Sequence, residues 1–332
     1  MQEIPQSEIP VLAIDLGGTK IITTIVSRQG QVVAKEYCLT LADEGPQPVI
    51  KRIFSSIDRL LSAQSMEPSH LESISMAAAG VIDSERGLIT TSPNLPGWCN
   101  IPLRDTVKEK YRVATFLIND ASAAALGEQH FGAGKGIKDL LYLTVSTGIG
   151  GGIIISGKLY SGVCGSAGEI GHTTIDVNGP RCSCGNIGCL ETLASGTAVA
   201  REAIRRISHG EKSSLAGMVS GKIEDITAEE VDIAAAGGDS LAREVILQAA
   251  TYLGVGMVNL VDIFNPEMII VGGGMAKMGD RLLNPARRVV MERAFRLPAQ
   301  AVRIVPAQLG DDAGVIGAAV FAFQQSLTRR TR

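Results

Sequence analysis

Apolar positions recur in two spacings along the chain. VLAIDLGGTKIITTIV (11–26) is an apolar run, a glycine pair and a second β-branched run, which predicts a β-hairpin turning at Gly17 and Gly18. LYLTVSTGIGGGIIIS (141–156) repeats the plan about 130 residues later and suggests one unit used twice in two related lobes, although any two glycine hairpins share this much. ESISMAAAGVID (72–83) and VATFLIND (113–120) read as buried strands, and VIKRIFSSIDRLLSAQ (49–64) has helical periodicity. ASAAALGEQHFGAG (121–134) is expected to be a helix opening directly after Asp120, and LAREVILQAATYLGVGMVNLVDIFNP (241–266) a long, largely buried helix. MIIVGGGMAKMGD (268–280) is a strand followed by a glycine turn, and DDAGVIGAAVFAFQQSL (311–327) a small-residue helix near the C-terminus. Strands and helices mix throughout, which points to an α/β protein.

Composition narrows this picture. With 332 residues, 45% of them apolar, the chain can bury a large core and is expected to form two domains. A net charge of −3 provides no basic face for nucleic acid or an anionic membrane. The first residues, MQEIPQSEIP, resemble neither a signal nor a transit peptide. No run approaches the roughly 18 apolar residues of a membrane span, so a cytoplasmic protein is expected. Six cysteines in a chain this long read as reduced thiols, since disulfide frameworks belong to small secreted domains.

Three glycine segments are candidates for chemistry. Backbone N–H groups can approach a phosphate closely only where side chains are small. Gly17, Gly18 and Thr19 offer that on one lobe, and Thr147, Gly148, Gly150 and Gly151 on the other. Each, taken singly, reads more readily as a structural tight turn. The chain contains no G-x-x-x-x-G-K-[ST] and no G-x-G-x-x-G after its first strand, which excludes a P-loop enzyme and disfavours a dinucleotide fold. Gly272, Gly273 and Gly274 could present backbone to a flat purine or simply turn the chain. Asp15, at a strand end beside the first glycines, could orient a hydrated Mg²⁺ or form a turn. Asp120 could take a proton from a substrate hydroxyl or serve as an ordinary helix N-cap.

GEIGHTTIDVNGPRCSCGNIGCLET (168–192) adds a cluster of another kind. His172, Cys182, Cys184 and Cys189 supply the four ligands of a closed, structural zinc site. A redox reading wants C-x-x-C rather than the C-x-C found here. Such a zinc would hold Glu169 and Glu191 near one spot, where they could accept hydrogen bonds from a hydroxyl-rich ligand.

As a set, DLGGTK, NDASAAALGE (119–128), TGIGGGI (147–153), GEIGH (168–172), CSCGNIGCLE (182–191) and VGGGM resemble the ROK family (repressors, open reading frames and sugar kinases), most closely its bacterial glucokinase branch. The resemblance spans nearly the whole chain. It implies a two-lobed actin-like ATPase (ribonuclease H-like) fold carrying a structural zinc loop. The N-terminal lobe would be 1–120, completed by helix 311–328, and the C-terminal lobe 121–310. MgATP and a hexose, glucose first, would meet between them. Asp120 would be the general base. Gly80, Asn94, Asn119, Glu169, His172 and Glu191 would hold the sugar, His172 using one ring nitrogen for zinc and the other for substrate. Asp15, Gly17, Gly18, Thr19 and Lys20, with Thr147, Gly148, Gly150 and Gly151, would cradle the phosphates, and Gly272 to Met275 would lie near the adenine. The resemblance leaves open N-acetylmannosamine, N-acetylglucosamine, fructose and allose as acceptors, and a sugar-sensing regulator as a different class. A regulator of this family carries a helix-turn-helix, for which no room is expected before the first hairpin. Homodimers or homotetramers are common in the family.

Overall fold

The computed structural model describes residues 9–330; most of the MQEIPQSEIP segment therefore lies outside the described residues. The first hairpin is β1 (Val11–Leu16) and β2 (Lys20–Val26), followed by β3 (Val32–Leu39), α1 (Pro46–Ala63) and β4 (Ser73–Ala78). A small antiparallel sheet of β5 (Val81–Asp83), β6 (Leu88–Thr91) and β7 (Cys99–Ile101) comes next, then α2 (Leu103–Tyr111), β8 (Thr115–Asn119) and α3 (Asp120–Phe131). The second hairpin is β9 (Leu140–Val145) and β10 (Ile149–Ile155), with the short β11 (Lys158–Leu159). Five helices follow: α4 (Leu190–Ala194), α5 (Gly196–Ser208), α6 (Leu215–Met218), α7 (Ala228–Ala236) and α8 (Ser240–Phe264). The chain ends with β12 (Met268–Gly272), α9 (Asp280–Arg293), α10 (Arg296–Ala301), β13 (Arg303–Pro306) and α11 (Ala313–Arg330).

Two five-stranded sheets result, with orders β3-β2-β1-β4-β8 and β11-β10-β9-β12-β13. In the first, β1 pairs antiparallel with β2 and parallel with β4, which pairs parallel with β8. In the second, β12 lies parallel between β9 and β13. Strands covered on both faces need continuous apolar runs, and β4 and β12 are buried at every position. The edge strand β3 instead alternates between half-buried and exposed residues along VVAKEYCL.

The contacts divide the chain into two compact units: Met1–Gly136 with Gly152–Gly168 and Gln308–Arg332, and Ile137–Gly151 with Glu169–Ala307. The division expected at 120/121 therefore differs from the division by packing, because α3 packs on α11 inside the first unit. Small residues let these helices touch: an alanine at Gly127 would bring its Cβ to 2.6 Å from the Ala313 carbonyl oxygen. The buried carboxylate of Glu128 locks the contact. Its Oε1 accepts from the Gln308 and Leu309 N–H groups at 2.9 and 2.7 Å, and its Oε2 from Ala133 N–H at 2.8 Å. The first unit's core joins Leu12, Ile14, Leu16 and Ile21 of the hairpin to Ile53 and Ile57 of α1 and to Ile74 and Met76 of β4.

In the second unit α8 packs against α4, α5, α7 and α9. By length and composition it could cross a membrane, which the residue count alone did not bring out. Half of its most apolar window is buried inside the protein, as for a core helix.

Candidate functional site

The register of the first sheet sets Leu16 beside Ala78 and Ala78 beside Asn119, so the carboxyl ends of β1, β4 and β8 line up. In parallel sheets ligands gather at this edge. It carries Asp15 at the end of β1, Gly80 just past β4, and Asn119 and Asp120 where β8 becomes α3. The helix cap is Asn119 rather than Asp120: its Oδ1 accepts from Ser122 N–H at 3.0 Å, and its Nδ2 donates to the Gly80 carbonyl at 3.1 Å. Asp120 is the first helical residue, where the helix dipole favours a carboxylate, and its Oδ1 accepts from Ala121 N–H at 2.8 Å. Gly80 has φ of 112°, a conformation that side chains resist, and it packs against Ser92.

Asp15 lies beside this pair. Burial, reinforced by the charge of Asp120, pushes its pKa up to about 7 against the opposing pull of Lys20. Gly314 in α11 makes room for it, since an alanine there would place its Cβ 2.8 Å from Asp15 Oδ2. The first glycine turn is a tight hairpin: Gly17 N–H donates to the Lys20 carbonyl at 3.0 Å, and Thr40 Oγ1 donates to the Gly17 carbonyl at 2.7 Å. Thr19 accepts from Thr40 N–H at 2.9 Å, and Lys20 pairs with Asp311 at 3.4 Å. Gly18 abuts Asn94, so a Cβ on Gly18 would stand 2.6 Å from the Asn94 carbonyl oxygen. Within the first unit, then, the residues expected for phosphate, metal and proton chemistry occupy one edge.

The second unit carries the matching turn. Ser146, Thr147 and Gly148 join β9 to β10, and Ser146 N–H donates to the Gly148 carbonyl at 2.8 Å. Gly150 and Gly151 are strand residues of β10 rather than turn residues. Gly272 is buried and paired with Thr144, Gly273 turns the chain at φ of 85°, and Gly274 is exposed. In this segment Gly273 is half-buried and Gly274 exposed, while the neighbouring Met275 is buried.

Beside that turn the loop of 169–191 closes on itself. Cys182 N–H donates to the Asn186 carbonyl at 2.8 Å, and Gly188, at φ of 67°, sits where any side chain would overlap the Asp176 backbone. One donor atom from each of His172, Cys182, Cys184 and Cys189 lies within 4.8 Å of all the others. Cys182 Sγ is 3.5 Å from His172 Nδ1, and Cys184 Sγ is 3.7 Å from Cys189 Sγ. Ligands on a tetrahedron at ordinary Zn–N and Zn–S lengths stand about 3.5 to 3.8 Å apart. The four residues therefore fit a structural zinc, with every position filled by protein and none left for a catalytic water. Burial pushes the Cys189 thiol up to about 12, while hydrogen bonding, first from the Asn186 backbone, holds Cys184 below the usual thiol range.

His172 offers Nδ1 to the thiols and turns Nε2 toward Glu169, whose Oε2 is 3.9 Å away. The zinc ligand and a candidate substrate ligand are thus one residue. Burial is the main influence raising the Glu169 pKa, opposed by His172 and reinforced by Glu191. Glu191, in the first turn of α4, sends Oε2 to the Ile149 N–H at 2.8 Å. One residue that the sequence reading passed over belongs here. Thr197 Oγ1 donates to the Thr147 carbonyl at 2.8 Å, holding the second turn from the start of α5. Its signal was the Ser195-Gly196-Thr197 helix start shortly after Glu191, with Ser195 as N-cap. Cys38 is half-buried and Cys99 and Cys164 are exposed; all three are free thiols outside the cluster.

Paired sheets of one strand order, each opened by a glycine hairpin, define the class: the fold is the α/β actin-like ATPase fold with a zinc-fitting loop. The ROK structure of a glucokinase from Streptomyces griseus, in complex with glucose and AMPPNP, superposes with a TM-score of 0.83 at 33% identity, covering 95% of this chain and 99% of that one. The ROK family model matches residues 11–325, and the chain belongs to the ROK family. It is 38% identical to the glucokinase of Halalkalibacterium halodurans over 315 residues, 95% of each chain. It is also 34% identical to the xylose repressor of Caldicellulosiruptor bescii over 96% of this chain and 79% of the repressor.

Proposed function

We propose that this protein is an ATP-dependent sugar kinase that transfers the γ-phosphoryl of MgATP to a hexose, with glucose as the preferred acceptor and glucose 6-phosphate as product. The observation that carries the reading is Asp120: a carboxylate fixed at the first turn of α3, one residue past the carboxyl end of β8 and on the same sheet edge as Asp15 and the first glycine turn. In this reading Asp120 accepts the proton of the sugar hydroxyl as its oxygen attacks the γ-phosphorus and the bond to ADP breaks. Gly80, Asn94, Asn119, Glu169, His172 and Glu191 bind the remaining hydroxyls. Asp15 orients hydrated Mg²⁺. Gly17, Gly18, Thr19 and Lys20, with Thr147, Gly148, Gly150 and Gly151, approach the phosphates, and Gly272, Gly273 and Gly274 lie on the adenine side. His172, Cys182, Cys184 and Cys189 would hold a zinc that would supply rigidity to the loop, apart from phosphoryl transfer. The glucokinase relatives support glucose as acceptor.

ADP release from MgATP, measured across glucose, mannose, fructose, N-acetylglucosamine, N-acetylmannosamine and allose, tests the reading. Turnover fastest with glucose is expected; preference for an N-acetylated sugar moves the acceptor, and silence with every sugar removes the kinase. A second reading, a sugar sensor without catalysis, is supported by the likeness to xylose repressors. Sugar binding by calorimetry without any ADP release would favour it.

A further inference from the structure

The second glycine turn is held by one bond of its own and by several from outside it. Of its amides, Ser146 N–H is committed to the Gly148 carbonyl and Ile149 N–H to Glu191 Oε2 at 2.8 Å. From the other side Thr197 Oγ1 donates to the Thr147 carbonyl at 2.8 Å, and Gly196 N–H to the Ser146 carbonyl at 2.7 Å. Space is equally constrained: a side chain on Gly148 would overlap Glu191 Oε2, and one on Gly171, next to His172, would overlap the Ile149 carbonyl. The turn is therefore clamped between α4 and the start of α5.

We infer that Glu191 and Thr197 are positioning residues for the phosphate turn, and that Glu191 couples sugar binding to nucleotide binding through its two carboxylate oxygens. The inference rests on the kinase reading above. With Oε2 on the Ile149 amide, Oε1 is the oxygen that meets a sugar hydroxyl, and the Thr147 and Gly148 amides are the donors that the turn itself contributes toward a phosphate. A sugar that fixes the Glu191 side chain fixes the turn as well. Nucleotide binding then gains from bound sugar, and by reciprocity sugar binding gains equally from bound nucleotide.

Calorimetry of MgADP binding to the full-length, zinc-replete protein without sugar separates this role from simple sugar contact. Glu191→Ala leaves the Ile149 amide without its acceptor and is expected to weaken MgADP binding about tenfold. Glu191→Gln retains an acceptor for that amide, so MgADP affinity stays within about twofold of wild type while glucose affinity falls. In the wild type, saturating glucose should tighten MgADP severalfold, and in Glu191→Ala it should not. MgADP affinity unchanged in folded Glu191→Ala overturns the inference while leaving the kinase reading intact. A wild type that binds neither MgADP nor glucose overturns the kinase reading and this inference together. Should Glu191→Ala fail to fold, Thr197→Val carries the test: it keeps the helix N–H and removes the hydroxyl on Thr147, with about a threefold loss of MgADP affinity and unchanged glucose affinity expected in sugar-free and nucleotide-free titrations. Unchanged MgADP affinity in that variant overturns the inference too.

Discussion

The two five-stranded sheets share one strand order, three antiparallel strands at one side followed by two parallel strands, yet they are furnished differently. In the first, the frame itself supplies polar chemistry: Asp15, Asn119 and Asp120 stand at or just past strand ends, and the insertion between β4 and β8 is a small sheet and one helix. In the second, the strand ends carry a glycine turn and a glycine-rich segment, and the acids come from a long insertion between β11 and β12 folded around His172 and three cysteines. A duplicated frame thus places glycine turns at equivalent strand ends, and in the proposed function their amides meet the phosphates. In the proposed function the side chains that meet a hydroxyl-rich ligand draw rigidity from what surrounds them. One sheet gets it from a helix start, the other from a site fit for a metal.

If the first sheet's frame carries the proton chemistry, Asp120→Asn should lower kcat about a thousandfold with the fold and glucose binding retained, measured by ADP release and calorimetry. Wild-type turnover in that variant would remove the base assignment and level the two sheets. The insertions should differ in their dependence on metal. Cys184→Ser is expected to release zinc, lower Tm by about 5 °C or more and raise KM for sugar. Cys99→Ser, in the exposed β7 of the other insertion, should stay within about 0.5 kcal/mol of wild type. Equal metal content in Cys184→Ser and wild type would contradict the ligand set.

Smaller effects should separate neighbouring glycines in the first turn. Gly18→Ala brings a Cβ to 2.6 Å from backbone and is expected to cost about 1 to 3 kcal/mol in urea denaturation. Gly17→Ala meets its nearest atom, the Lys20 carbonyl oxygen, at an ordinary 3.4 Å and should cost less than about 1 kcal/mol. The reverse order would refute close packing against Asn94 as the reason for glycine at position 18. A separate signature is pH dependence. Asp15 is raised from 3.8 to about 7 in the folded state, so across that window the native protein holds a proton the unfolded chain has released. Its contribution to stability therefore falls as pH rises through that window and levels off above it. Asp15→Asn should flatten this part of the pH–stability curve, and Mg²⁺ with nucleotide should shift it; a slope unchanged by the substitution would place the titration elsewhere.

Much of the frame was legible because its signals are local. The runs around Gly17–Gly18 and after Val145, the helix start after Asn119 and the long apolar helix of 240–264 depend on residues close in sequence. The zinc-fitting cluster was legible for the same reason, its ligands falling within 18 residues of chain. The domain boundary was not. Nothing near residue 120 announces that α3 will pack on a helix almost two hundred residues later, and only the close approach at Gly127 with the buried Glu128 reveals it. The role of Thr197 was hidden similarly, because its partner, Thr147, lies 50 residues away.

The sequence by itself determined the α/β alternation, the repeated glycine hairpins, the zinc-fitting ligand set and the family, all of which follow from residue type and short-range spacing. Only the tertiary structure decided that Asn119 rather than Asp120 caps α3, that Asp15 titrates near neutrality, and that Glu191 grips the second turn. Those properties arise from burial and from hydrogen bonds between groups that register and packing bring together, so no stretch of sequence contains them alone.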